Sequence, residues 1–384
     1  MPFKIIRKKK RQIRVGNVAV GGAAPIAVQS MTNTLTSDVA ATVSQILKLQ
    51  DAGCEIVRVA VPDSSAAAAI SKIKPQVAIP VIADVHFDYR LAIAAARAGA
   101  DALRINPGNI GHRSKVSAVV DCARDYGIAI RIGVNSGSLE KKLLKKYQGA
   151  SAEAMVESAM GHLDLIGSLG FEQIKVSLKA SDVARTIAAY RLFSQKSDIA
   201  LHVGVTEAGG LFSGLVKSAI GIGTLLAEGI GDTIRVSLTR DPVEEVRAAY
   251  EILKALQIRQ RGLDIISCPT CGRCQIDLVN IVAAIEKATI NYRVPLKVAV
   301  MGCVVNGPGE AKEADFGIAG GDGRGVLFKR GEVVRTFSQD QLVDVLMAEI
   351  DNYEKQYSSS ANRSEQGKDH DGKTGKSGYT SDTC

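Results

Sequence analysis

Between Pro25 and Leu256, short runs rich in valine and isoleucine alternate with alanine-rich stretches of helical period, the pattern of βα units wound on a parallel sheet. Eight such runs occur: Ile26–Ser30, Ile56–Val61, Val81–Val85, Ala102–Asn106, Ile128–Asn135, Gln173–Leu178, Leu201–Thr206 and Thr233–Leu238. Eight strands, each followed by a helix, predict an α/β fold, a TIM (β/α)8 barrel, over residues 25–258. A doubly wound open sheet is the alternative. It lacks its main support, because no G-x-G-x-x-G opens the first helix. Ahead of the barrel, within residues 1–24, Arg14-Val-Gly-Asn-Val-Ala-Val-Gly-Gly22 reads as a hairpin over the barrel floor. After Arg261-Gly262 the pattern becomes strand, helix, strand, glycine-rich loop and a hairpin near Arg324 to Thr336. This predicts a smaller α+β domain over residues 262–356.

Parallel barrel strands are buried on both faces and should be apolar throughout. These are not. Arg58, Arg104, Arg131, Lys175 and Arg235 sit within strands; Asn106, Ser177 and Ser237 follow three of them by two residues, and Asn135 follows Arg131 by four. Even spacing puts each set on one strand face, and the inward face near the strand's carboxyl end is where barrel enzymes keep their chemistry. Asp84 and Glu207 add carboxylates at the ends of the third and seventh strands. Any one of these residues could belong to an internal ion-pair layer. As a group, five cations against two carboxylates leave an excess of three, and unpaired buried charge costs several kcal/mol per ion. The excess calls for a polyanion. A diphosphate answers it, with arginines giving bidentate contacts and Ser237, Asn106 and Asn135 completing the donors. His86 is open between ligand contact and core residue, and His202 reads as core.

A second constellation lies beyond the barrel. Cys268-Pro-Thr-Cys271 is followed, a helix length later, by Met301-Gly-Cys303-Val-Val-Asn-Gly-Pro-Gly-Glu310. Four thiolates would suit zinc or a closed iron-sulfur cluster. Three thiolates and a carboxylate describe a 4Fe-4S cluster with one reactive corner, since a hard oxygen can leave iron that is already bonded to sulfide. The first motif alone would read as half a zinc knuckle or a redox pair, but no Cys or His pair follows the second loop. Cys274 extends the run to C-x-x-C-x-x-C and competes as a ligand. Cys303 is preferred, because Cys274 opens the amphipathic stretch Gln275 to Lys287 and is expected on a helix.

Composition narrows the remainder. The chain has 384 residues, of which 46% are hydrophobic, enough for a large core and a second domain. No apolar run is long enough to span a bilayer, and the basic start leads into no signal-peptide segment, so a soluble cytoplasmic protein is expected. Seven cysteines outside any disulfide-like framework fit a reducing compartment, with Cys54 and Cys122 as small core residues. The net charge of +8 includes a cluster at Lys4, Arg7, Lys8, Lys9, Lys10 and Arg11. A solvated, flexible arm is expected there rather than a nucleic-acid contact, because stacking aromatics are scarce and tryptophan is absent. Residues 357–384 turn polar and glycine-rich, which predicts a disordered tail. No flavin or nicotinamide motif is visible, so electrons would come singly from a protein donor. A pterin-binding barrel synthase with structural cysteines and a zinc-ribbon nucleic-acid binder are the rival classes.

Seven stretches resemble one family: Ala27-Val-Gln-Ser-Met-Thr-Asn-Thr34, Asp84-Val-His-Phe-Asp-Tyr-Arg90, Leu103-Arg-Ile-Asn-Pro-Gly-Asn-Ile110, Arg131-Ile-Gly-Val-Asn135, Thr206-Glu-Ala-Gly-Gly210, and the two cysteine motifs. The family is the bacterial 4-hydroxy-3-methylbut-2-enyl diphosphate synthases of the methylerythritol phosphate isoprenoid pathway, in their shorter form without the plant-type insert. The resemblance implies reductive ring opening of 2-C-methyl-D-erythritol 2,4-cyclodiphosphate. It further implies a cluster on Cys268, Cys271, Cys303 and Glu310, and a diphosphate gripped by Arg58, Arg104, Arg131, Lys175 and Arg235, with Asp84 and Asn306 in the substrate site. Glu207 would be a buried acid of raised pKa beside the departing oxygen. Reduced ferredoxin or flavodoxin would be the donor, and the assembly a head-to-tail homodimer.

Overall fold

The computed structural model describes residues 5–303 and 311–366, the side chains of 311 and 360–366 excepted. Lys4, Asn306, Glu310 and residues 367–384 lie outside the described residues. The chain divides into two compact units at Arg259 and Gln260.

The first unit opens with a hairpin of β1 (Ile13–Val15) and β2 (Val18–Val20), turned at Gly16, whose φ of +56° suits glycine. Eight parallel strands follow: β3 (Ala27–Met31), β4 (Ile56–Ala60), β5 (Val81–Asp84), β6 (Ala102–Ile105), β7 (Ala129–Asn135), β8 (Ile174–Lys179), β9 (Ala200–Val203) and β10 (Thr233–Ile234). They close in chain order, with β10 pairing to both β9 and β3. The predicted barrel is therefore the observed one.

Ten helices wrap it: α1 (Val39–Asp51), α2 (Ser64–Ile73), α3 (Tyr89–Arg97), α4 (Pro107–Ile110), α5 (Arg113–Asp125), α6 (Lys141–Lys146), α7 (Ala152–Gly167), α8 (Val183–Lys196), α9 (Leu211–Ala227) and α10 (Pro242–Ala255). Asp38, Asp63, Asp88, Asp182 and Asp241 each accept a backbone N–H at a helix start, which fixes where strand-to-helix loops end.

Strand alternation builds two cores. Outward side chains such as Val57, Val59, Leu103, Ile130, Ile132, Val176 and Leu201 pack under the helices. At the amino-terminal ends, Ile13, Val15 and Val20 of the hairpin plug the barrel against Ala27, Ile56, Ile82, Ala102, Ala129 and Ala200. Alanine at four of those strand starts leaves the plug its room. The floor is thus filled by apolar side chains, and the opposite mouth is free for chemistry.

The basic arm departs from expectation. Arg7 pairs with Asp232 at 2.8 Å, Lys8 N donates to Gly229 O, Lys10 is buried with its ammonium on Ser194 O and Ser197 O, and Arg11 N donates to Asp198 O. The loops entering β9 and β10 carry free carbonyls and a buried carboxylate, and these hold the arm to the barrel floor.

The second unit is a five-stranded sheet, β11 (Leu263–Ser267), β12 (Leu296–Met301), β13 (Phe316–Gly321), β14 (Arg324–Lys329) and β15 (Glu332–Ser338), in that order, with α11 (Leu278–Thr289) and α12 (Leu342–Gln366). The first three strands are parallel and the rest antiparallel. Both hairpin turns place two residues at positive φ, Asp322-Gly323 and Arg330-Gly331, the twist that two-residue hairpin loops require. Val298, Val300, Ile318 and Leu327 pack with Ile285, Leu346 and Ile350 of the helices. Helix α12 runs ten residues into the expected disordered tail. Nothing from Tyr357 to Gln366 breaks a helix, and Gly367 comes next. Among the described residues, no helix is long and apolar enough to cross a membrane.

Candidate active site

The barrel's carboxyl-end cavity is lined by Arg58, Asp84, His86, Arg104, Arg131 and Asn135 on one side. Ser177, Lys179, Thr206, Arg235 and Ser237 line the other. Alternation along each strand puts them there: Arg131 and Asn135 share the inward face of β7, as do Ser177 and Lys179 on β8. Asp84 is the hub. Its carboxylate lies 3.3 Å from Arg58 Nη1, 3.0 Å from Arg104 Nη1 and 3.4 Å from His86 Nε2, while His86 Nε2 also stands 2.6 Å from Arg104 Nη1. Arg235 pairs at 3.2 Å with Glu245 of α10, which is itself fixed by the Ser30 hydroxyl and Leu238 N–H. Gly133 makes room for Arg104: a Cβ there would come within 2.6 Å of its Nε.

Charge does not balance in this space. Five cations line it, Arg58, Arg104, Arg131, Lys179 and Arg235, with Lys175 buried below, and they meet two buried carboxylates, Asp84 and Glu245, while a third, Asp232, is held by Arg7. Arg131 and Lys175 leave buried N–H groups without hydrogen-bond partners among the described residues. Burial would raise the Asp84 carboxyl, but Arg58, the hydrogen bond with His86, and Arg104 together hold it far below the usual range. Burial lowers Arg58 to about 10 against the attraction of Asp84. Burial, reinforced by the neighbouring cations, pushes Arg131, Lys175 and Lys179 well below their ordinary values. A multiply charged anion entering the mouth would relieve both burial and repulsion.

Several expectations change here. Lys175 is fully buried on β8 and does not line the cavity; Lys179, four residues further along the same face, does. The even spacing that selected Lys175 and Ser177 pointed to Lys179 as well, had the run not been ended at Leu178. Glu207 is exposed rather than buried, on the loop after β9, with its backbone in the left-handed region at φ +52°. The second buried carboxylate is Glu245, whose only sequence signal is an acid in the first turn of α10. Asn106 is buried but caps α4, accepting from Gly108 N and standing 3.3 Å from Ser138 Oγ. Asn135, Ser237 and Arg235 lie in the cavity wall, and His86 joins them. His202 is buried inside the barrel.

In the second unit, parallel pairing of β11 and β12 brings their carboxyl ends side by side, so Cys268 and Cys303 leave neighbouring strands. Gly302 N donates to Cys268 Sγ at 3.3 Å, and Gln275 N donates to Gly302 O. A Cβ on Gly302 would stand 2.5 Å from Cys274 Sγ. Cys274 therefore lies in the loop, not on a helix: Asp277 caps α11, which begins only at Leu278. The helical argument against Cys274 fails. Cys271 is exposed, and the Arg273 backbone N–H holds its thiol below the ordinary value. Cys268 and Cys274 thus place sulfur beside Gly302, Cys303 follows it in the chain, and Cys271 adds a soft donor on the loop after β11. Among the described residues, no three His, Cys, Asp or Glu side chains converge to metal-binding distance.

A cationic (β/α)8 barrel mouth joined in one chain to a cysteine-bearing α+β unit defines the class, a two-unit barrel enzyme. Residues 10–250 match the GcpE TIM-barrel domain and residues 264–352 the GcpE protein C-terminal domain. The chain belongs to the GcpE family. A Geobacter sulfurreducens protein described as 4-hydroxy-3-methylbut-2-en-1-yl diphosphate synthase (flavodoxin) is 60% identical over 346 residues, 90% of this chain and 98% of its own. A Lawsonia intracellularis protein of the same description is 56% identical over 355 residues, 92% of this chain and 99% of its own. A dihydropteroate synthase from Stenotrophomonas maltophilia superposes over 64% of this chain and 97% of that one, at 14% identity and a TM-score of 0.48. That likeness is too loose to carry an argument. Family membership supports neither the pterin-synthase nor the zinc-ribbon reading.

Proposed function

We propose that this chain catalyses the two-electron reductive ring opening of 2-C-methyl-D-erythritol 2,4-cyclodiphosphate to 4-hydroxy-3-methylbut-2-enyl diphosphate. The observation that carries it is the surplus of buried cations at the barrel mouth, which a diphosphate neutralises. Arg58, Arg104, Arg131, Lys179 and Arg235 grip the diphosphate, with Asn135, Ser177 and Ser237 as neutral donors; Asn306, outside the described residues, is a further substrate contact. Asp84 holds Arg58 and Arg104 in register, and Lys175 adds positive potential from below. A ring C–O bond breaks, two electrons enter, and the hydroxyl leaves as water after taking a proton. Glu207, on its left-handed turn at the barrel mouth, supplies that proton.

The sulfur donors around Gly302 fit an iron-sulfur group. Cys268, Cys271 and Cys303 with Glu310 would hold a 4Fe-4S cluster, which supplies electrons one at a time when bound. Reduced flavodoxin, the donor in the relatives' names, delivers them, with ferredoxin as the alternative, in the cytoplasm. The active unit is a head-to-tail homodimer. The barrel unit ends at Arg259, whose guanidinium bonds Ile26 O and Glu55 at the floor, the face opposite the cavity. Phe212, Val216 and Ile220, four apart on α9, form an exposed apolar stripe for a second copy to cover.

Anaerobically purified protein should be brown, with a broad visible shoulder, and should turn over the cyclodiphosphate with reduced flavodoxin. Colourless, iron-free protein after anaerobic reconstitution would defeat the reading. Co-expressing Arg104→Ala with Cys303→Ser should return roughly a quarter of wild-type activity, because half of randomly mixed dimers carry one intact composite site. Mixed dimers with no activity would place each site within one chain.

A further inference from the structure

Lys179 has a feature that diphosphate binding alone does not require. Its Nζ stands 3.3 Å from His202 Nε2 inside the barrel, and His202 Nδ1 is 2.9 Å from Thr233 Oγ1. All three side chains are buried. Just past β9, Gly204 keeps the space beside the lysine open: a Cβ there would meet Arg235 O and come within 2.6 Å of Nζ. We propose that His202, backed by Thr233, is a positioning residue that lets Lys179 be an amine in the empty barrel and an ammonium when a polyanion fills it. The proposal rests on the polyanion reading of the cavity.

An ammonium can only donate, so His202 Nε2 then accepts and Nδ1–H donates to the Thr233 hydroxyl. An amine can accept from Nε2–H, with the Thr233 hydroxyl donating to Nδ1. One set of heavy-atom positions serves both states, and the imidazole stays neutral in each. Burial first, and then neighbouring cations including Arg131 and Arg58, hold His202 well below its ordinary value, so it does not take the proton itself. Lys179 faces Arg131 from β7, Arg104 from β6, Arg58 from β4 and Arg235 beyond β10. The acids nearby are committed: Asp84 to Arg58 and Arg104, beside His86, and Glu245 to Arg235. Below, Lys175 feels Asp232, which Arg7 holds. Each cation favours the amine until an anion arrives, and buffer then supplies the proton.

Calorimetry of inorganic pyrophosphate binding to the full chain, in buffers of different protonation enthalpy, reads this directly. Wild type should take up about one proton more than Lys179→Arg, which is always charged. His202→Phe should weaken pyrophosphate about tenfold and Thr233→Val should act in the same direction, with both effects vanishing in a Lys179→Met background. A histidine with a merely structural role would weaken binding equally with and without Lys179. Equal proton uptake by wild type and Lys179→Arg, or additive substitution effects, would overturn the proposal alone. A wild type that binds no pyrophosphate at millimolar concentration would sink the polyanion reading and this proposal with it.

Discussion

The barrel mouth and the cysteine loop solve the same problem, gathering reactive groups at one point, by opposite means. In the barrel, the groups ride on strands, and pleat alternation aims Arg104, Arg131, Ser177 and Lys179 inward before any ligand is present. In the second unit, the donors sit on loops beyond β11 and β12, held by a few backbone contacts around Gly302. The first site is built by a rigid frame that bears a charge surplus. The second depends on what it binds to complete it. One should tolerate loss of its ligand, and the other should not.

The largest expected effect tests that independence. Cys303→Ser should abolish iron content and visible absorbance in anaerobically prepared protein, while leaving pyrophosphate affinity at the barrel within about twofold of wild type, because the cations that bind it are held by the barrel's own strands. A parallel fall in affinity would mean that the barrel's cations are not preset without the cluster. Cys274→Ser should keep iron near the wild-type level. The reverse pattern would move the third sulfur to Cys274, whose place against Gly302 makes it the real competitor.

Within the barrel, Arg104→Ala should weaken pyrophosphate binding by about 2 to 5 kcal/mol, the cost of truncating one partner of a desolvated charge pair. Titration calorimetry measures it. Unchanged affinity would assign Arg104 to an ion-pair layer with Asp84 and His86, and the mouth would then be less preset than its geometry indicates.

The contrast also explains what could be read from the chain. Strand-borne charges were legible because a period of two is local: Arg58, Arg104 and Arg131 needed no knowledge of tertiary contacts, and Arg235 comes one residue past β10. Lys179 was lost only because its strand was ended one residue short. Glu245 was illegible, since it enters the site from α10, a helix whose acidic first turn looks like ordinary capping. The arm misled for a similar reason: its lysines and arginines resemble a solvated run until the carbonyls and Asp232 at the floor are in place. Cys274 misled because helical periodicity from Gln275 onward gave no sign of the Asp277 cap that delays α11.

The smallest effect separates a cation that serves the ligand from one that only suffers burial. Lys175 Nζ is fully buried, lacks a hydrogen-bond partner among the described residues and does not line the cavity. Its pKa is lowered well below 10.5, first by burial and then by Arg131 and Arg58. Between the folded and unfolded values, the unfolded chain holds a proton that the folded chain lacks, so stability rises with pH across that window. Below the window the full penalty remains, and above 10.5 neither state is protonated. Lys175→Met removes the penalty. It should stabilise the ligand-free protein by about 1 to 4 kcal/mol at neutral pH, as replacing buried charge by packed apolar groups often does. Urea midpoints at a series of pH values should show a shallower rise toward alkaline pH than in wild type, with pyrophosphate affinity changed less than about threefold. A less stable methionine variant with an unchanged slope would mean that Lys175 is satisfied inside the barrel, and its charge would then belong to the frame.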